Sequence, residues 1–204
     1  MKKDWSEFKK EKQSAIFDSA IKVIREKGFH RMRMVDIAKE AGISYGLVYH
    51  YFKNKESLIN DILNQWWEEL YRFLETVGKE ESEFHEKLKK IILYFLDLYQ
   101  QKPDLMNIFI TQISRSSTNL TKTRLDHFKI FIALTEGILT EGQKRGFLRQ
   151  DFEAPYLTYI FLGALETFIT IMVMGNRKIR DDRHKDRITQ SILEVFLNGA
   201  RNRG

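Results

Sequence analysis

The sequence predicts an all-α protein of about nine helices, and three observations predict it. Only two prolines, Pro103 and Pro155, occur in 204 residues. The apolar–polar alternation of a half-buried strand is nowhere sustained. Apolar residues recur instead at spacings of three and four along most of the chain, as an amphipathic helix requires.

The elements follow in order, with ends set by turn residues. The first helix carries Ile16, Ala20, Val23 and Ile24 and stops at Gly28 behind Lys27. The second carries Met34, Ile37, Ala38 and Ala41 and meets Gly42. The third is short and aromatic, within "AGISYGLVYHYFKNKE" (41–56). A long fourth helix carries Leu58, Ile59, Ile62, Leu63, Trp66, Trp67, Leu70, Phe73 and Leu74. The fifth runs from about Glu83 to Gln100 through Leu88, Ile91, Ile92, Phe95 and Tyr99. Pro103 opens the sixth. Polar "SRSSTN" precedes a seventh that ends near Gly146. Asp151 and Pro155 start an eighth, closed by Gly175, and the ninth spans roughly Asp181 to Ala200. Two domains are expected, at 1–56 and 57–204.

Charge separates these two parts. Residues 1–55 hold 13 Lys and Arg against 7 Asp and Glu, and the remainder holds 21 of each. The whole net charge of +6 therefore sits on the first quarter. Such asymmetry suits either a polyanion partner or a basic, solubilising segment. There is no Cys, so disulfide and thiol chemistry are excluded, which fits a reducing compartment. The N-terminal "MKKDWSEFKKEKQ" lacks the apolar run of a signal peptide. The most apolar stretch, Ala164 to Gly175, is shorter than a membrane span. A cytoplasmic protein without a membrane partner is expected. The five histidines are scattered, and "HEKLK" at His85 lacks the second His at i+4 that a zinc helix needs. No metal site, cofactor or enzymatic activity is expected.

The second helix, the turn at Gly42 and the third helix have the layout of a helix-turn-helix. In that motif the second of the two helices lies in the DNA major groove. Ile37, Ala38, Ala41, Ile43, Leu47 and Phe52 are expected inside. Ser44, Tyr45, Gly46, Val48, Tyr49 and His50 are expected on or near the outer face. Gly46 there lets the backbone approach DNA closely. Tyrosine hydroxyls suit phosphates, and Ser44 suits an N-cap. Lys53 and Lys55 oppose the dipole at the start of the fourth helix, and a phosphate at that N-terminus would reconcile them with it. Taken singly, each residue also suits an ordinary solvated or core position.

"IAKEAGISYGLVYHYFKNKESL" resembles the signature of tetracycline-repressor-type (TetR family) transcriptional regulators, and the likeness covers about residues 10 to 60. It implies an all-α homodimer with an N-terminal DNA-binding domain and a roughly palindromic operator. Tyr45, Gly46, Tyr49 and His50 match the family's DNA-facing positions, and Lys55 its phosphate-contacting lysine. The family's usual Thr cap on the second helix is replaced by Arg33, which either reaches a phosphate directly or leaves the helix start frayed. "GILTEGQKRGFLRQDFEAPYLTYIFLGALETFITIMV" partially resembles FadR-like members that respond to fatty acyl-CoA. That likeness implies repression relieved by an apolar effector. An aromatic or drug-like effector of an efflux regulator is the alternative, and a helical interaction protein that does not bind DNA is a more distant one.

The residues fit an apolar ligand. Trp66, Trp67, Phe95, Tyr99, Phe109, Phe128, Phe131, Ile132, Tyr159 and Phe168 could line a long cavity, with core packing as the alternative for each. Glu166 stands on an apolar helix, where a carboxylate needs a partner, a ligand group or solvent. Arg115, Lys122 and Arg124 are the candidates for a CoA head group. The eighth helix is apolar nearly all round and must be covered on all sides. Leu162 and Gly163 of that helix, with Ile188, Ile192, Val195 and Phe196 of the ninth, are the expected contacts of a four-helix dimer interface.

Overall fold

The turns decide where each helix stops and where it points. In the computed structural model, residues 5–110 and 122–200 are described, with side chains over 11–110 and 125–199. Among the described residues the helices are α1 Trp5–Lys27, α2 Met34–Glu40, α3 Tyr45–Tyr51, α4 Lys55–Lys79, α5 Phe84–Gln101, α6 Pro103–Phe109, α7 Lys122–Lys144, α8 Ala154–Met174 and α9 Asp182–Ala200. The chain forms two compact units, Met1–Trp66 and Trp67–Gly204, so α4 contributes residues to both.

The first unit packs α2 against α1 and α3. Ile16, Phe17, Ala20 and Val23 of α1 are buried with Ile37 and Ala38 of α2 and with Val48 and Phe52. The Phe17 and Phe52 rings lie 5.6 Å apart. The turn from α2 to α3 depends on Gly42, whose φ of +63° belongs to the left-handed region. The Gly42 amide donates to the Lys39 carbonyl and the Ile43 amide to the Ala38 carbonyl, at 3.2 and 3.1 Å. This is the paired bonding of a Schellman motif, and it satisfies the last carbonyls of α2 while reversing the chain.

The second unit is built around α5, which packs on α6, α8 and α9. Its Leu88, Ile91, Ile92 and Leu96 have no exposed surface. Lys87 is buried too, and donates to the Gly78 carbonyl at 2.9 Å and to a Glu141 carboxylate oxygen at 3.2 Å. A buried ammonium requires such partners. Lys185 of α9 reaches Asp97 of α5 at 2.7 Å.

α8 departs from expectation in its length. It is one continuous 21-residue helix, long and apolar enough by length and composition to cross a membrane. The stripe Leu157, Phe161, Leu165, Ile169 and Met172 is nevertheless buried in the second unit's core. The helix closes at Gly175, its C-cap, as expected, and Asn176 makes the turn that follows. Asn176 takes the left-handed φ of 46°, and the Arg177 amide closes on the Met172 carbonyl at 2.9 Å. Asn is the residue besides Gly that most readily fills that position.

Candidate nucleic-acid interface and aromatic cluster

Seven residues form α3, and a helix that short needs its ends satisfied. The Ser44 hydroxyl accepts from the Leu47 amide at 3.2 Å, the cap expected of it. Tyr45 and Tyr49, one turn apart, are 50% and 43% exposed and meet edge to face at 4.7 Å. A hydrogen bond to Tyr49 holds the Tyr45 phenol above its ordinary pKa. Gly46, His50 and Lys53 are exposed beside them. α3 thus presents one outer face of Tyr45, Gly46, Tyr49 and His50. Val48, expected on that face, is fully buried, and Leu47 is half-buried.

Arg33 is exposed as the N-cap of α2, but α2 is not frayed. Arginine has no acceptor with which to cap. Asp36 supplies the bond instead, accepting from the Arg33 amide at 3.0 Å and from the Lys27 ammonium at 2.7 Å. The Lys27 bond, helped by the Arg33 amide, holds the Asp36 carboxyl below its ordinary pKa. A depressed carboxylate pKa gives stability that is fully present above the unfolded-state value, about 3.9, and is lost as pH falls through the lower folded value. Asp36→Asn is therefore expected to destabilise the protein at pH 7 by no more than about 1 kcal/mol, because the pair is exposed. That difference should shrink toward zero in urea melts repeated below the folded-state pKa. A difference that persists at the lowest pH would show that Asp36 acts through its shape and not its charge.

The start of α4 is capped by its own residues. The Asn54 side chain accepts from the Ser57 amide at 2.7 Å, and the Ser57 hydroxyl accepts from the Asn54 amide at 3.2 Å. This reciprocal box already caps the helix. Lys55 does not face outward. Its ammonium turns back to the Phe29 and His30 carbonyls at 3.1 and 3.0 Å.

In the second unit the aromatic residues of α4, α6 and α7 gather on Trp67. Its ring stacks on His127 at 5.4 Å with 3° between the planes. Phe109 and Phe128 approach it edge-on at 5.3 and 5.4 Å, and Phe131 links the group to Phe95 at 6.0 Å. The Tyr71 hydroxyl lies 2.7 Å from His127 Nδ1 and 3.0 Å from the His127 carbonyl. One hydroxyl proton serves both if it goes to the carbonyl while Nδ1–H donates to the phenol oxygen. Burial lowers the His127 pKa and raises that of Tyr71, so both are neutral at pH 7.

Of the expected ligand residues, Phe95, Phe109 and Phe128 join this cluster. Ile132 is half-buried on α7, and Trp66 is buried in the first unit. Tyr99 is buried, but its hydroxyl donates to carbonyls at the end of α8, Met172 at 3.2 Å and Arg177, so it braces that helix. Tyr159 and Glu166 are exposed on α8 and line no interior. Arg115, and the Lys122 and Arg124 side chains, lie outside the described residues. Trp67, Tyr71 and His127 carry the cluster. The signal for the first two is their i, i+4 spacing, and nothing in sequence singles out His127.

The expected dimer residues also divide. Ile188 and Phe196 are buried within the protomer, the latter 5.1 Å from the Phe161 ring. Leu162, Gly163 and Ile192 are half-buried, and Val195 is 77% exposed. The outward stripe of α8 is Tyr156, Tyr159, Ile160, Ile171 and Met174.

By sequence, residues 16–62 match the bacterial regulatory proteins of the tetR family, and residues 59–195 match the C-terminal region of YsiA-like proteins. The chain belongs to the tetR family of bacterial regulatory proteins. Its N-terminal unit is the family's helix-turn-helix, and the protein is a ligand-responsive transcriptional regulator. It is 27% identical over 195 residues to a fatty acid metabolism regulator protein of Bacillus subtilis, covering 96% of this chain and 98% of the relative. Among solved structures it resembles the transcriptional regulator FadR of Bacillus subtilis in complex with stearoyl-CoA. That likeness has a TM-score of 0.79 and 26% identity, over 91% of this chain and 98% of the other. The fatty acid degradation regulator FadR of Bacillus halodurans is similar at the same TM-score and identity, over 94% of this chain and 97% of the other.

Proposed function

We propose that this tetR-family protein is a homodimeric, non-enzymatic repressor that binds a palindromic operator and is released from it by a long-chain fatty acyl-CoA. The observation that carries this reading is the full-length likeness to a FadR solved with stearoyl-CoA. The aromatic cluster on Trp67 supports it, because it supplies apolar, neutral surface on three helices of the unit that would take the acyl chain. Tyr45, Gly46, Tyr49 and His50 would face the groove, with Ser44 fixing the start of the helix that carries them. The exposed apolar stripe of α8 would meet its copy in the partner, with Gly163 at the closest approach.

An effector weakens DNA binding only if it prefers the dimer geometry in which the two recognition helices are wrongly spaced. α4 contributes residues to both units, Lys55 to the first and Trp67 to the second, and would be the link between effector and operator. The test is a titration of operator-bound protein with acyl-CoAs of increasing chain length. Each buried methylene contributes about 0.8 kcal/mol, so the concentration giving half release should fall about fourfold per added methylene until the site is full. No release at any length, together with no length trend in direct binding, would overturn the acyl-CoA reading.

A further inference from the structure

We infer that Tyr71 and His127 are positioning residues of the effector response: they latch α4 to α7 across Trp67, and an acyl chain that lies against the indole has to open that latch. The inference rests on the acyl-CoA reading above and deepens it.

Trp67 is covered on every side, with 1% of its surface exposed. The His127 ring lies flat on the indole, 3° from parallel at 5.4 Å. Phe109 and Phe128 approach it only edge-on. An acyl chain laid along the indole face takes the place of the ring that lies flat there, which is His127. Chain and stack therefore exclude each other.

His127 is held where it is. Tyr71 stands one turn after Trp67 on α4, is buried, and has its ring 6.0 Å from the imidazole. Its hydroxyl lies 2.7 Å from His127 Nδ1 and 3.0 Å from the His127 carbonyl. The hydroxyl donates to the carbonyl, and Nδ1–H donates to the phenol oxygen. Both bonds cross from α4 to α7. Parting them strands polar groups among Phe109, Phe128 and Phe131, whose rings replace neither bond, and that is costly. The latched arrangement is thus closed to the chain, and under the acyl-CoA reading it is the arrangement that binds the operator. An effector that needs the open form binds more weakly in proportion to the rarity of that form.

The test compares the wild type with Tyr71→Phe in direct binding of palmitoyl-CoA, in operator affinity and in release from the operator. Tyr71→Phe keeps the ring and removes both bonds. A buried hydrogen bond is worth a factor of about three to ten in population. Palmitoyl-CoA should therefore bind the variant about three- to tenfold more tightly, and the concentration giving half release should fall by the same factor. Operator affinity without effector should change by less than about twofold, because the latched form still predominates. Damage to the fold would instead lower both affinities, and a lost ligand contact would weaken palmitoyl-CoA binding. In the wild type, nuclear magnetic resonance of labelled histidine should show the His127 Nδ1–H signal with operator bound and lose it at saturating palmitoyl-CoA. Unchanged or weaker palmitoyl-CoA binding by Tyr71→Phe would overturn the inference, and so would a His127 signal that survives saturation. If palmitoyl-CoA neither binds the wild type nor releases it from the operator, the acyl-CoA reading fails and the inference falls with it.

Discussion

Gly163→Trp is expected to turn a dimer into a folded monomer and to lower operator affinity by two to four orders of magnitude. Within the protomer a Cβ at Gly163 would meet no atom within 4 Å, so a larger side chain has room on the chain's own surface. Gly163 lies on the face of α8 that also exposes Tyr159, Ile160, Ile171 and Met174. A helix with apolar residues on both faces needs two partners, and among the described residues α5, α6, α7 and α9 cover only one side. A second copy of α8 is the natural cover for the other. An indole at the point of closest approach would hold the two helices apart. A monomer then binds one half-site and loses the roughly 10²–10⁴-fold gain of joining two binding modules. Light scattering reads the mass, and a thermal melt confirms that the variant is folded. A dimer that persists at micromolar concentration would remove α8 from the interface.

The parts of the site that sequence revealed, and those it hid, differ for physical reasons. Long amphipathic helices were legible because each apolar stripe repeats over several turns. α3 has only seven residues, too few to fix the phase of its buried face, and one position of error is a rotation of about 100°. Val48 therefore lies inside, beside a half-buried Leu47, while Tyr45, Gly46, Tyr49 and His50 are on the outer face. On α9 the pattern marks Ile188, Ile192, Val195 and Phe196 as apolar contacts, but periodicity does not say what covers each of them. Phe161 of the same chain covers Phe196. Lys55 was hidden more deeply. Its partners are backbone carbonyls, which every residue carries, so no pattern of side chains could mark them. The helix ends show the same limit. Asp36, not the residue at the cap, supplies the bond at the start of α2, and Asn176, not the adjacent Gly175, makes the left-handed turn after α8.

Gly46→Ala is expected to act in opposite directions on stability and on function. Gly46 is the second residue of α3, in its first turn, and its φ is not in the left-handed region that would require glycine. A Cβ there would meet nothing within 4 Å in the protein. No internal reason for glycine remains, and glycine costs roughly 1 kcal/mol against alanine in a helix interior, which is an upper bound for the first turn. The free variant should therefore be more stable by up to about that amount, a rise of at most roughly 2–4 °C in melting temperature for a chain of this size. Bound to DNA, the same methyl would stand between the backbone of α3 and the floor of the groove, flanked by Tyr45 and Tyr49. Hydrogen bonds to bases and phosphates tolerate little displacement. Losing one well-formed contact costs about 1–3 kcal/mol, so operator affinity should fall roughly fivefold to a hundredfold. The pair of measurements is more decisive than either alone. A stabilised variant that binds the operator as tightly as the wild type would show that the backbone at Gly46 makes no close approach to DNA. A destabilised variant would mean that the glycine has a role inside α3 after all.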